Sequence, residues 1–466
     1  MIPALVVVAK SIKKCCLAKD KLARAESVTA DAYSDSLEAV TPLGSSEPEP
    51  ILTPNPLGDL TPTLEVDPVI ERINTFWDEF TDAPYEEQWS LATKMLAEEP
   101  ELCDGEMVFE IANTLFGQAI ARGEIERYQQ FLDQLAVATP EAYAEELANI
   151  LDWRIQIALI EDDESNIERC FFQLSPLAGD KLDLYYRVVS GLAYHGKQEV
   201  LYQGMRQARP YVAEGAGLVE WAYSEFTEKL GDIEIGYLLD KNPNLTSDDV
   251  TLQQHFAEYE LTVVPEMFSS RLDYRTGRQT PSWTLADFEI PEWKKEHPAQ
   301  ARYAFLLAAF THYAHHVEGV ALTKAEMAHD ELARYLTLRR KGELGEPRPR
   351  HNHRQKHSRK QQIKPGLSSH PLCPDAETLD KYLAQLMGFM SFKYYETFAL
   401  YELIPVWLRF LTHYNLLDEE TGQQAVAELS YIKGHLMQIA EQQLSNPAVK
   451  ENLLGWPYEP PKETSP

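Results

Sequence analysis

Cysteine is scarce in this chain of 466 residues, which contains five: Cys15, Cys16, Cys103, Cys170 and Cys373. Their number is odd and their spacing is unlike that of a metal-binding knuckle. The sequence therefore excludes a disulfide framework and a zinc knuckle. A reducing compartment fits this usage best, so we expect a cytoplasmic protein.

Long apolar runs are also missing. The longest apolar stretch without Asp, Glu, Lys or Arg, residues 303–317, is too short to span a bilayer, so no transmembrane helix is expected. The apolar residues 2–9 are followed, not preceded, by lysines, which is the wrong order for a secretory signal.

Familiar catalytic motifs are absent as well. The sequence has no glycine-rich phosphate loop, no His-Glu-x-x-His, no Gly-x-Ser-x-Gly and no EF-hand loop. We therefore expect no catalytic residues of these kinds and no cofactor that such motifs bind.

Basic residues are fewer than acidic ones, and many of them lie in one segment. The chain has 43 Lys and Arg against 73 Asp and Glu, a formal charge of −30. Residues 339–364 hold ten Lys and Arg and two Glu, a local charge of +8. Uniform binding to nucleic acid or anionic lipid is excluded, because both need a positive face.

Apolar residues recur at helical spacing through most of the chain, and no segment alternates like a strand. The predicted fold class is all-α. It is an irregular right-handed superhelix of helical hairpins with a C-terminal helical bundle. The predicted domains are a disordered leader (1–66), a hairpin array (67–241), an irregular crossover (242–297), a bundle (298–341 with 375–446), a basic disordered loop (342–374) and a tail (447–466).

Four predicted turns organise the array, at Gly123, Asp162–Asp163, Gly196 and Gly231–Asp232. They are about 39, 34 and 35 residues apart, close to the period of helical-hairpin repeats. Each divides a longer apolar-periodic segment from a shorter one, which predicts four hairpins.

Residues 105–240 resemble a divergent array of tetratricopeptide-like repeats. That family places small residues five and twelve positions after the turn glycine and a proline seventeen after it. Three positions match, namely Gly236, Ala208 and Pro140. Tyr128, Leu201 and Leu135 occupy positions where the family has small residues, which predicts wider helix spacing. The resemblance implies a surface that binds a protein segment.

Several local patterns are predicted after the array. Only 249–261 of the crossover has a clear helical pattern. Thr323 and Glu326 have the spacing of a capping box for a helix at 325–340, and Pro405 is expected to kink or restart its helix. A last helix is expected over 423–444, and the hairpin 375–444 is expected to pack against 298–341.

A histidine cluster is the sharpest candidate for chemistry. His312 and His316 are four residues apart and share a helix face, and Glu326 and His329 have the i, i+3 spacing of di-metal carboxylate bundles. One interpretation is a divalent-metal site formed by His312, His316 and His329 in a helical-bundle enzyme. The other is packed or capping histidines without a ligand.

The basic loop is the second candidate. It could hold RNA or anionic lipid through Arg348, Arg350, Arg354, Lys356, Arg359 and Lys360. It lacks interleaved aromatic residues, so base stacking is not provided. The alternative is a solubilising loop that lies on the acidic surface of the same protein.

Three functional hypotheses follow from these patterns. The leading one is a non-catalytic scaffold that binds a protein partner on its helical repeats. The second is the metal-dependent enzyme, and the third is a tether to RNA or lipid through 339–364.

Overall fold

The computed structural model describes residues 68–215, 220–261, 265–289, 299–344, 370–388, 391, 393–444 and 446–457. The predicted leader lies outside these residues. All regular secondary structure within them is helical, which confirms the all-α fold class. Contacts between α-carbons divide the described chain into two units between Leu102 and Cys103.

The smaller unit is built on two helices, α1 (Pro68–Asp82) and α2 (Tyr85–Glu98). Pro84 separates them, because proline has no N–H to donate and its ring clashes with a preceding helical turn; its ψ of 153° is extended. Phe80 and Trp89 are almost fully buried, and the Gln88 side-chain amide donates to the Phe80 carbonyl at 3.0 Å.

The larger unit begins with hairpins. Their helices are α3 (Gly105–Arg122), α4 (Ile125–Ala138), α5 (Pro140–Glu145), α6 (Leu147–Glu161), α7 (Glu164–Leu174), α8 (Leu182–Tyr194) and α9 (Gln198–Gly215).

The first three predicted turns are confirmed. Gly123, Asp162 and Gly196 have φ of +73°, +51° and +75°, the left-handed conformation that stops a helix. They join α3 to α4, α6 to α7 and α8 to α9.

The fourth predicted turn is wrong. Helix α10 (Glu220–Lys241) runs without interruption through Gly231 and Asp232. A β-carbon on Gly231 would lie 2.5 Å from Leu261 Cδ1. This glycine therefore permits close packing of a neighbouring side chain and does not reverse the chain.

Large residues do fill the positions at which tetratricopeptide repeats have small ones. Tyr128, Leu135 and Leu201 are all at most 1% exposed, and the Tyr128 hydroxyl donates to the Ala112 carbonyl at 3.0 Å. The chain is thus an assembly of packed helical hairpins with bulky contacts between the helices.

The predicted crossover contains two helices, α11 (Val250–Glu258) and α12 (Pro265–Arg275). Asp249 caps α11 by accepting from the Leu252 amide at 3.1 Å, and α11 lies within the predicted helical segment 249–261. Helix α12 was missed, because Arg271 and Arg275 interrupt its apolar periodicity.

The C-terminal part contains α13 (Ala299–His316), α14 (Leu322–Arg340), α15 (Ala376–Leu386), α16 (Tyr394–His413), α17 (Glu419–Leu429), α18 (Ile432–Ile439) and α19 (Pro447–Leu454). Helix α16 is buried on nearly all sides and contacts α14, α13 and α8. Tyr194 of α8 belongs to the same apolar core as α13, α14 and α16, so the hairpins and the bundle share a core.

Two expectations for the C-terminal helices are corrected. Helix α16 continues through Pro405 without a restart. The expected helix 423–444 is divided into α17, α18 and a π-helical turn at Ala440–Leu444. The predicted tail contains α19, and the Trp456 ring stacks on Tyr401 at 4.7 Å.

Helices long and apolar enough to cross a membrane are not found among the described residues.

Candidate functional site

The structure places His312, His315 and His316 next to one another near the end of α13. The rings of His312 and His316 are 4.5 Å apart, and those of His315 and His316 are 4.6 Å apart. The Nδ1 atoms of His312 and His315 lie 3.2 Å from the Arg275 carbonyl and 2.8 Å from the Val320 carbonyl. Two of the three imidazoles are therefore engaged by backbone carbonyls.

His329 has a different environment. It is buried, and its Nδ1 lies 3.0 Å from the Thr311 hydroxyl. Burial lowers the pKa of His329 to about 3, and the positive charges of Arg271 and Arg275 contribute to this shift. The imidazole is therefore neutral at physiological pH.

Among the residues that the structure describes, no three His, Cys, Asp or Glu side chains are placed to hold a metal ion. The structure brings His312 and His316 together but does not group His329 with them.

The predicted capping box is wrong. Helix α14 begins at Leu322, and the Thr323 hydroxyl donates to the Ala193 carbonyl at 2.6 Å instead of closing a cap. Glu326 forms an ion pair with Arg275. Both side chains are used for contacts with other helices, which local spacing does not reveal.

The proposed partner-binding residues of the basic loop, Arg348, Arg350, Arg354, Lys356, Arg359 and Lys360, lie outside the described residues. Salt-sensitive RNA or lipid binding by this loop stays a prediction.

A charged cleft of about 150 Å³ lies where the hairpins meet the bundle. It is lined from α8, α10, α12, α13, α14 and the start of α16. Its ionisable residues are Glu225, Lys229, Asp232, Arg271, Arg275, Glu326, His329, Asp330, Glu331, Arg334, Lys393 and Glu396.

Part of this charge is neutralised within the protein. Buried Glu331 lies 3.0 Å from Arg334 and 3.6 Å from Lys393, and it accepts from the Tyr382 hydroxyl at 2.5 Å. Burial alone would raise the pKa of Glu331, but Arg334 and Lys393 outweigh it and lower the pKa. Glu331 is therefore a fixed anion.

Five other charged side chains of the cleft have no such partner. Neither an ion pair nor a side-chain hydrogen bond is formed, within the described part of the chain, by Glu225, Lys229, Asp232, Arg271 and Asp330. Asp232 and Asp330 line the cleft and are exposed. These side chains are free to contact a bound molecule.

The surroundings of the cleft shift the ionisation of its acids. Protein atoms around Asp232 raise its pKa, and the charge of Asp330 raises it further, whereas Arg271 opposes both effects. The pKa of Asp330 is raised by the same desolvation, with Glu331 adding to the shift. Perturbed carboxyl groups in a cleft are typical of functional sites.

Sequence reasoning missed this cleft for an identifiable reason. Lys229 and Asp232 share a helix face only if α10 is continuous. A turn at Gly231–Asp232 would place them on different elements. A charged face on an unbroken helix α10 would have indicated the cleft. The wrongly predicted turn at Gly231–Asp232 divided that face.

No family model, curated protein or solved structure gives a significant match to the chain. Fold and site together define its class: an all-α protein of packed helical hairpins with a charged cleft between the hairpins and a helical bundle.

Proposed function

We propose that this protein is an interaction scaffold that binds a polypeptide segment of a partner and takes one of its charged groups into the cleft. The proposal extends to a right-handed, tetratricopeptide-like arrangement of the hairpins and to a cytoplasmic location. Cys103, Cys170 and Cys373 are free and buried, which is compatible with a reducing compartment.

The single observation that carries the proposal is a set of charged cleft side chains that have no ion-pair or hydrogen-bond partner among the described residues, namely Glu225, Lys229, Asp232, Arg271 and Asp330. Partly desolvated charges are costly unless they are paired or hydrogen-bonded. A ligand with complementary charge supplies those contacts and so binds more strongly than it would on an open surface.

The size of the cleft limits what can enter. Its volume of about 150 Å³ is well above the roughly 10–15 Å³ that one water molecule needs. One charged side chain or a chain terminus fits, whereas a folded surface does not. The rest of the partner segment would lie on the neighbouring helices.

The test uses the full chain and arrays of short peptides with acidic, basic or mixed charge. We expect a subset to bind and to lose roughly thirtyfold or more in affinity in Arg271→Gln and Asp330→Asn, since removal of one partner of a desolvated charge contact costs about 2 kcal/mol or more. Fluorescence anisotropy of the selected peptides measures this loss.

The matched control is Lys181→Glu, which changes an exposed charge at the start of α8, outside the cleft. It should leave affinity unchanged. Equal affinity in the cleft variants and the wild type, or no peptide above background, would overturn the proposal.

A further inference from the structure

Lys229 occupies an unusual position in the wall of the cleft. It is the only lysine among the described cleft residues without a carboxylate partner, because Lys393 lies 3.6 Å from Glu331. Its Nζ lies 5.5 Å from the centre of the Tyr186 ring. The amine thus faces an aromatic ring and an open cavity.

The charged groups around Lys229 come from three helices. Helix α14 contributes Asp330, Glu331 and Arg334, and the start of α16 contributes Lys393 and Glu396. Helix α10 itself contributes Glu225 and Asp232, one turn to either side.

These neighbours act on the amine in opposite directions. Burial lowers the pKa of Lys229, and Lys393 and Arg334 lower it further, while Glu396 and Asp330 oppose them. The net effect is a lowered pKa. A desolvated lysine beside other cations is a recognised form of activated nucleophile.

The cleft also contains groups that suit a carbonyl ligand with a carboxylate. Arg271 has a guanidinium without an ion-pair partner among the described residues, and arginine matches a carboxylate with two parallel hydrogen bonds. Asp330 lines the same cleft and has no ion-pair or hydrogen-bond partner among the described residues.

The geometry points to a covalent ligand site, in which the ε-amine of Lys229 condenses with the carbonyl carbon of an α-keto acid whose carboxylate lies on Arg271. This inference requires only the cleft and does not depend on a protein partner.

The condensation is an ordinary imine formation. The neutral amine attacks the carbonyl carbon, the C–N bond forms, and the carbonyl oxygen takes a proton from the acid form of Asp330. The Asp330 carboxylate then removes a proton from nitrogen, which leaves a carbinolamine. Asp330 returns this proton to the hydroxyl, water departs, and the nitrogen lone pair forms the iminium ion.

Reductive trapping tests this site. The full chain is incubated with pyruvate and cyanoborohydride, which delivers hydride to an iminium carbon, and the modified lysine is located by peptide mass spectrometry. We expect one main adduct, on Lys229, formed faster than at other lysines, because a lowered pKa leaves more of the amine unprotonated at a given pH.

Variants separate reactivity from folding. Lys229→Arg, which retains the charge, should abolish the adduct and keep the circular dichroism spectrum. Arg271→Gln should slow trapping of pyruvate and leave that of butanal, which has no carboxylate, unchanged. Lys393→Gln should move the pH dependence of trapping at Lys229 to higher pH, because it removes a neighbouring cation.

Two results would contradict the inference: equal labelling of Lys229 and exposed Lys181, or unchanged trapping in Lys229→Arg. Peptide binding without trapping would reject this inference and leave the scaffold proposal intact. Trapping without peptide binding would reject the scaffold proposal and leave the covalent ligand site intact.

Discussion

Individual charged residues fall into two groups in this protein. In the core, Glu318 accepts two hydrogen bonds from Arg409, at 2.8 and 2.7 Å, and Glu402 lies 2.5 Å from Lys324. Both glutamates are 4% exposed. Removing one partner of such a pair leaves a buried charge uncompensated. The charges of the core are therefore structural, whereas the uncompensated ones face the cleft.

Two helical glycines provide a prediction at the residue scale. A β-carbon on Gly204 of α9 would overlap the ring of Phe171, which is fully buried and stacks on Tyr185 at 5.2 Å. Gly204→Ala should lower the free energy of unfolding by about 1–3 kcal/mol, because the ring has no space to move. Urea denaturation measures the change.

The matched substitution is Gly434→Ala in α18, where a β-carbon meets nothing within 4 Å. It should stabilise the protein by up to about 1 kcal/mol, since alanine favours helix more than glycine does. If both variants changed stability in the same direction, close packing at Gly204 would be the wrong explanation.

At the scale of a helix, α10 carries several acidic side chains on one face, next to the cation Lys229. Glu225, Glu228 and Asp232 are three or four residues apart, so they repel one another. Partial burial, with the charges of Asp232 and Glu225, raises the pKa of Glu228 to about 7 from an ordinary 4.5. The folded state therefore holds the Glu228 proton more tightly than the unfolded state does.

This shift predicts a pH dependence of stability. The contribution of Glu228 is fully present below pH 4.5 and is lost as the pH rises through about 7. Glu228→Gln should therefore stabilise the protein at pH 8, by roughly 1 kcal/mol after allowance for solvent screening, and the gain should shrink towards pH 4.5. Urea unfolding across this range checks the prediction.

Removal of an exposed acid elsewhere, Glu141→Gln, controls for the change in net charge. A gain independent of pH, or one as large in the control, would show that α10 has no special role.

At the scale of the whole larger unit, Tyr194 joins the hairpins to the C-terminal helices. Its hydroxyl donates to Glu402 at 2.6 Å and accepts from the Asn452 amide at 2.9 Å. The Lys324 ammonium lies 4.0 Å from the centre of its ring. Side chains from α8, α14, α16 and α19 therefore meet at one residue.

The segment after α19 supplies a test of this integration. Trp456 is 5% exposed, stacks on Tyr401, and donates to the Tyr401 carbonyl at 3.1 Å. Trp456→Ala should destabilise the protein by about 3–5 kcal/mol, because a large cavity opens against α16. Differential scanning calorimetry would detect this as a lower melting temperature.

Nearby Leu454 is 64% exposed and serves as the control. Leu454→Ala should change stability by less than about 0.5 kcal/mol. Equal effects of the two substitutions would indicate that the C-terminal segment contributes little to the core.

Most helices were predictable because their information is local. Asp249 and Asp375, for example, cap the helices that follow them through contacts to amides three residues away. Helix α12 was not predicted because its arginines interrupt the apolar periodicity. Helix α19, which Asn446 caps, was not predicted because it lies within the segment 447–466 that was expected to be a tail.

The sequence by itself determined the all-helical class and three of the turns, because apolar spacing and left-handed residues act within a few positions. Only the tertiary structure decided that Gly231 packs against Leu261 and that Thr323 bonds to Ala193. The cleft also forms only in the tertiary structure, because Lys229, Arg271 and Asp330 belong to helices that are distant in the chain. Their proximity results from helix packing, which local preferences do not specify.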